Sequence, residues 1–345
     1  MKEETGKNNT EMVEAGATDG IADVIGDVIG GVPAPIRKNA WRAFTQLCAA
    51  AIEIPASHLE GIVKEKRAET RARVKIIETG ANQIADQMKV DPEYARLAVK
   101  KYGQKIVREQ VNLDAISSIA AEELNNNDQV KSDSGKPVPD ISEDWLNIFE
   151  KEACNKSSDE MRLLFGKILA GEIHRPSTYS IRTIRLLSQL DNQAAILFRT
   201  LCSLASTLRN RPHSVIDSRA ISIGGNAALG SLSKYGLDYA HLNILQEHGL
   251  IIPEYNSWIN YGPCVLDENN VASSVFQIQG KLFWLRRKNI SGQISDLKMS
   301  GVALTKAGVE LLDIVDAEMN KQYMDDLFVF FAAKGFECEE IPRSV

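Results

Sequence analysis

Apolar residues recur at steps of three and four over most of the first two thirds of the chain, so the pattern predicts helices from the start. Ile21, Val24, Ile25, Val28 and Ile29 mark a short helix, with Gly26 and Gly30 four apart on one side. Trp41, Phe44, Leu47, Cys48, Ala51 and Ile52 mark a second, expected to end before Pro55 because proline lacks the helical N–H donor. Thr70, Val74, Ile77, Ala81, Ile84 and Met88 form a stripe. Val99, Tyr102, Ile106, Leu113, Ile116 and Ala120 form another, with Glu109 its polar intruder. Asp91-Pro92 between them supplies an N-cap and a proline at the first helical position. The two stripes predict a long antiparallel helical hairpin.

Residues 125–140 are polar, contain Gly135, Pro137 and Pro139, and read as a linker. A compact helical region follows. Ser142 is placed to cap a helix bearing Trp145, Ile148 and Phe149. Ser157 and Glu160 have capping-box spacing before Met161, Leu164, Phe165, Ile168 and Leu169. Pro176-Ser177 forms a turn. Ile181, Ile184, Leu187 and Leu190 mark the next helix, and Asp191 caps one running through Ala205.

The pattern then changes. Residues 231–250 read as a helix that leaves through Gly249-Leu250-Ile251. Val275 to Trp284 read as a β-hairpin turning at Gln279-Gly280, and Leu297–Leu304 as a further strand. Thr305-Lys306-Ala307-Gly308 opens another helix, and a last one spans about 318–334. Helix, hairpin and "LTKAG" in this order resemble a winged-helix module. The expected fold is therefore mainly α, with a disordered tail (1–20), an N-terminal helical region with its hairpin (21–124), the linker (125–140), a central helical domain (141–210) and a winged-helix-like domain (211–345).

Composition narrows the class. Hydrophobic residues at 44% and charged residues at 25% suit a globular protein of 345 residues. The net charge of −6 opposes a dedicated nucleic-acid coat. Five cysteines, none in a CxxC pair, and no apolar leader or 20-residue apolar run point to a reducing, cytoplasmic setting. Residues 64–75 carry Lys64, Lys66, Arg67, Arg71, Arg73 and Lys75, either a phosphate-binding stretch or a solvated helix face.

No catalytic pattern is present: the chain has no GxGxxG, GxxxxGK[ST] or GxSxG. Gly224-Gly225-Asn226 lacks the following Lys and Ser or Thr of a phosphate loop. His241 and His248 share a helix but stand seven apart, whereas helical metal pairs stand four apart. No cofactor or metal is expected. Arg286, Arg287 and Lys288, beside Phe283 and Trp284, form the one basic cluster in the presumed wing and a candidate nucleic-acid contact. The helix before it (238–248) carries no Lys or Arg.

The segment 145–198 resembles a bacterial family catalogued as domain of unknown function 2806. Trp145, Glu152, Ser158, Phe165, Gly166, Leu169, Gly171, Glu172, Pro176, Ser180, Asp191 and Phe198 carry the likeness. The chain is also similar to helical proteins of the abortive-infection alpha type, linked to phage defence. The first resemblance brings no activity with it and implies structural roles for Trp145, Glu152, Phe165, Gly166, Gly171, Glu172, Pro176 and Ser180. The combined expectation is a non-enzymatic interaction or scaffold protein of a bacterial phage-defence or prophage system, with a protein partner or a second copy of itself, and with a winged-helix DNA regulator and a membrane effector acting through residues 21–54 as alternatives.

Overall fold

The computed structural model describes residues 25–28, 30–48, 89, 91–126, 138–210, 214–288 and 297–342. The first arm of the expected hairpin, the basic stretch 64–75, the tail 1–20 and most of the linker lie outside them. The chain divides after Ile184 into two compact units.

The first unit is helical. Residues 25–28 are helical, and Ile25 and Val28 are fully buried. Helix α1 (Ala34–Leu47) buries Ile36, Ala40, Phe44 and Leu47. It stops well short of Pro55, because Cys48 is already extended. Helix α2 (Pro92–Asn126) is the second arm of the expected hairpin, about 50 Å long at 1.5 Å per residue. Asp91 starts it by accepting from Glu93 N at 2.7 Å. Its C-terminal half buries Leu113, Ile116, Ala120 and Leu124.

Helices α3 (Glu143–Ala153) and α4 (Asp159–His174) complete this core. Ser142 caps α3, as expected. The cap of α4 is Ser158, whose side chain accepts from Met161 N, and not Ser157. Ser158→Ala is expected to cost about 1 kcal/mol in urea unfolding while Ser157→Ala stays within a few tenths, because only the former removes a partner from an orphan helix N–H. Equal effects would contradict this placement. Helix α4 packs on α2 so closely that a Cβ on Gly166 would stand 2.4 Å from Ile119 Cγ2. Helix α5 spans Ile181–Gln189.

The second unit overturns the mainly α expectation. Asp191 caps α6 (Asn192–Leu204), but the chain turns extended at Ala205. It then enters β1 (Ala205–Asn210) and β2 (Val215–Ile221). With β3 (Ser257–Asn260), β4 (Ser274–Ile278), β5 (Lys281–Arg287), β6 (Lys298–Ala303) and β7 (Phe336–Glu340) they form one seven-stranded antiparallel sheet, ordered β3-β6-β2-β1-β4-β5-β7. The protein is thus mixed α/β.

The winged-helix reading fails for the same reason. The expected hairpin exists, with Gln279 and Gly280 both at positive φ, but its strands are interior: β4 pairs with β1, and β5 with β7. A wing is a free hairpin. The expected helix over 231–250 is also shorter, reduced to a 3₁₀ turn and α7 (Tyr239–Glu247), which Asp238 caps. Helices α8 (Lys306–Leu312), capped by Thr305, and α9 (Lys321–Ala333) follow.

The sheet's core is aromatic. Phe276 packs on Tyr261, Phe283 and Phe331 at ring separations of 5.5–5.7 Å. Polar residues inside it are matched pairwise. Ser206 Oγ and Tyr261 Oη are 3.1 Å apart, and Thr207 Oγ1 and Ser218 Oγ 2.9 Å. Arg219, almost wholly buried, donates to both Asp217 oxygens and to Ser257 O. Pairing of this kind offsets the cost of taking polar groups out of water.

Candidate functional site

Five of the residues carrying the family likeness, Trp145, Gly171, Glu172, Pro176 and Ser180, meet at one turn, between α4 and α5. Trp145 and Phe149 stack at 5.0 Å on α3, and Phe149 meets Phe165 of α4 at 5.5 Å. Trp145 Nε1 donates to Tyr179 O at 2.7 Å. The Tyr179 ring lies over Gly171, where a Cβ would come within 2.7 Å of its Cε2. Glu172 reaches over the turn. Its carboxylate accepts from Ser177 N at 2.7 Å and from Tyr179 N at 3.0 Å. Pro176 is buried, and Ser177 takes a left-handed φ of 72°. Ser180 Oγ accepts from Thr183 N and so starts α5. Gly166 lies against α2, while Glu152 is half-buried on α3.

This is a clamp in which the named polar groups hold backbone. Glu172 is the buried carboxylate most suggestive of chemistry, yet both oxygens are occupied by amides of the loop it closes. Among the described residues, no group of three or more His, Cys, Asp or Glu stands close enough to hold a metal ion. His241 lies beside its own cap residue, Asp238, and His248 beside Asp191. Burial pushes the thiols of Cys202, Cys264 and Cys338 up, the last two to about 12, so they stay protonated at neutral pH.

Residues 98–328 match the family described as protein of unknown function (DUF2806). This chain belongs to the DUF2806 family. The match begins within α2 and ends within α9, so the DUF2806 pattern covers the clamp and the whole described sheet except β7. No curated protein and no solved structure matches.

Of the basic cluster expected to meet nucleic acid, Arg286 is engaged within the sheet unit. Arg286 grips Glu339 of β7 through two nitrogens, with Nη2 at 3.1 Å, and donates to Asn270 at 2.9 Å. This pairing holds Glu339 below the usual carboxylate range, first through the Arg286 bond and then that of Trp284 Nε1. Lys288 N donates to Gly335 O, and Arg287 also has a partner. Arg286–Lys288 thus run along the β5–β7 seam, where β5 pairs with β7 from Phe283 to Arg287.

Two features escaped the sequence reading. One is the solvent face of α2 in its N-terminal half. Tyr94, Leu97, Tyr102, Val107 and Val111 are each more than half exposed there. Arg96, Lys100, Lys101, Lys105 and Arg108 lie among them, with no acidic residue between Tyr94 and Arg108. An open groove of about 470 Å³ is lined by Ala98, Lys101, Tyr102, Gln104, Lys105 and Arg108. The signal was available, since these cations fall between the apolar stripe positions. The other is a polar pocket on the sheet of the second unit. It brings together β1, β4 and the end of α8, which no local pattern connects.

Also among the described residues, no helix is long and apolar enough to cross a membrane. Ile25 and Val28, which the membrane alternative would send into lipid, are inside the first unit.

Proposed function

We propose that this DUF2806 protein is an interaction protein that docks an acidic amphipathic helix of a partner along the exposed face of α2. One observation carries the reading: along one side of the N-terminal half of α2, the exposed side chains of Tyr94 and Leu97 share a surface with Lys101, Lys105 and Arg108. Among the described residues, Lys100, Lys101 and Arg108 face no carboxylate partner. Among the described residues, Lys105 meets Glu109 at 3.5 Å and Arg96 meets Glu93 at 3.8 Å, pairs worth little at a surface. In a chain of net charge −6, this stretch is a local positive field.

The apolar component selects a protein over a nucleic acid. Phosphate contacts are made by cations and need no exposed leucine or valine. Protein interfaces instead bury aromatic and aliphatic side chains at the centre and keep charge at the rim. An acidic helix with apolar residues at steps of three and four would satisfy both components.

The test uses the full chain and three fluorescent probes: a glutamate-rich peptide with leucine at helical spacing, its lysine-rich counterpart, and a single-stranded oligonucleotide. The acidic peptide is expected to bind, more weakly as salt rises. The triple variant K101E, K105E and R108E should lower its affinity at least tenfold, with circular dichroism unchanged. Equal affinity for the lysine-rich peptide would overturn the proposal. So would preference for the oligonucleotide, or binding indifferent to the charge reversal.

A further inference from the structure

We propose that two copies of this chain associate through the sheet unit, by pairing strand β3 of each across a two-fold axis. The inference is independent of the face on α2. Strand β3 stands at one end of the strand order, and among the described strands β6 is its single neighbour. The register fixes which backbone groups remain outside. Tyr261 N, just past the end of β3, donates to Leu297 O at 2.8 Å. Antiparallel strands alternate between residues that exchange hydrogen bonds and residues that do not. Ser257 and Ile259 therefore turn their peptide groups to Gly301 and Met299 of β6, while Trp258 and Asn260 turn theirs away from the sheet. Among the described residues, no hydrogen bond reaches these outward amides and carbonyls.

A second copy completes this edge with the same residues. Placed antiparallel, Trp258 exchanges both of its main-chain bonds with Asn260 of the second copy, and Asn260 does so with the other Trp258. The axis then passes through Ile259. Ile259 stands opposite itself in a pair without hydrogen bonds, where side chains come closest. On the other face the two Trp258 side chains are diagonal neighbours, a separation that aromatic rings span. Trp258 is more than half exposed in the single chain, with Lys298 Nζ 4.2 Å from its ring centre. Each face of the junction thus gains an apolar contact.

Charge and order favour a second copy over a foreign strand. The residues of β3, SWIN, carry no charge, so the strand does not repel itself. The other edge of the sheet does. Strand β7 carries Glu337, Glu339 and Glu340, and pairing its full length with itself would set Glu337 against Glu339 of the second copy. Like charges directly opposite destabilise a strand pair, and native sheets use them to keep edges apart. Strand β3 has no such protection. A foreign peptide would also have to be ordered on binding, whereas β3 is a formed strand in both copies. The junction is short, so association should be weak and depend on concentration.

The full chain is followed by sedimentation equilibrium over a concentration series, and a species of two chains should grow in with concentration. W258P removes one outward amide, at a position where an edge strand tolerates proline. W258E sets two carboxylates diagonally across the axis. Each should weaken association at least tenfold with circular dichroism unchanged, and W258E decides alone should W258P fail to fold. Ile259→Cys tests the register. Residue 259 faces its own copy with Cα atoms about 4.5 Å apart, within the span of a disulfide. This variant should oxidise to a covalent dimer under conditions that leave the parent and Trp258→Cys as single chains in denaturing electrophoresis. A parent chain that stays monomeric at its highest soluble concentration would overturn the proposal. So would a dimer indifferent to W258E, or Trp258→Cys cross-linking as efficiently as Ile259→Cys.

Discussion

Replacing Glu172 with alanine is expected to destabilise the first unit by about 3–5 kcal/mol, among the largest effects available to a single change in this protein. A hydrogen bond to a charged group contributes about 1.5–3 kcal/mol, and Glu172 accepts two, from Ser177 N and Tyr179 N. Both amides belong to a turn whose Ser177 is left-handed, so the backbone cannot relax without giving up that conformation. Glu172 is nearly inaccessible to water and its bond from Tyr179 N is buried, so that amide is left without an acceptor. The loss should spread to neighbours: Tyr179 also receives the Trp145 indole bond on its carbonyl and covers Gly171 with its ring.

Glu172→Gln keeps one acceptor oxygen and should lose roughly half as much. Urea unfolding gives the stability change, and amide hydrogen exchange at residues 177 and 179 reports the clamp directly. A change under about 1 kcal/mol, or glutamine as damaging as alanine, would show that the carboxylate does not close the turn.

A comparable loss is expected in the second unit from Gly301→Val. Gly301 lies in β6 between two partners, opposite Ile221 of β2 and Ser257 of β3. A Cβ there would stand 2.1 Å from Ala220 O and 2.9 Å from Ile221 Cα. These are backbone atoms, so no side chain can rotate away, and the strands must part or slip. Overpacking a core ordinarily costs about 1–3 kcal/mol, and this site should reach or exceed the top of that range. Gly26→Ala is the natural contrast. It has nothing within 4 Å of the added carbon and sits in a helix, where alanine is favoured by roughly 0.5–1 kcal/mol. Thermal unfolding should rank the two variants on opposite sides of the parent. A Gly301→Val protein as stable as the parent would contradict the three-strand packing at this position.

The two glycines are equally plain in the sequence and opposite in consequence, which shows where sequence reading runs out here. Gly301 sits in KMSGVA, where it looks like an interruption. Only the pairing to two strands, one of them about 80 residues earlier, makes it indispensable. The clamp is more legible: Trp145, Gly171, Glu172 and Pro176 all belong to the family-like pattern in the sequence. What could not be read was that Glu172 serves backbone amides. That depends on the path of the turn after Arg175.

The sequence by itself determined where several helices begin and which face the C-terminal half of α2 buries. Asp91-Pro92, Ser142, Asp191 and Thr305 all start helices, and the stripe from Leu113 to Ala120 is buried. These are local matters: a cap satisfies an amide three residues away, and a stripe repeats with the 3.6-residue turn. Tertiary structure alone decided the sheet. Strands β1 and β2 hold Ser206, Thr207, Ser218 and Arg219 inside, an arrangement hydrophobic patterning cannot signal. Arg219 is tolerable there because Asp217 and the carbonyls of Ser257 and Met299 receive its donors. Two of those three partners, Ser257 of β3 and Met299 of β6, belong to other strands, so burial of a charge in this protein is licensed by neighbours that only folding brings within reach.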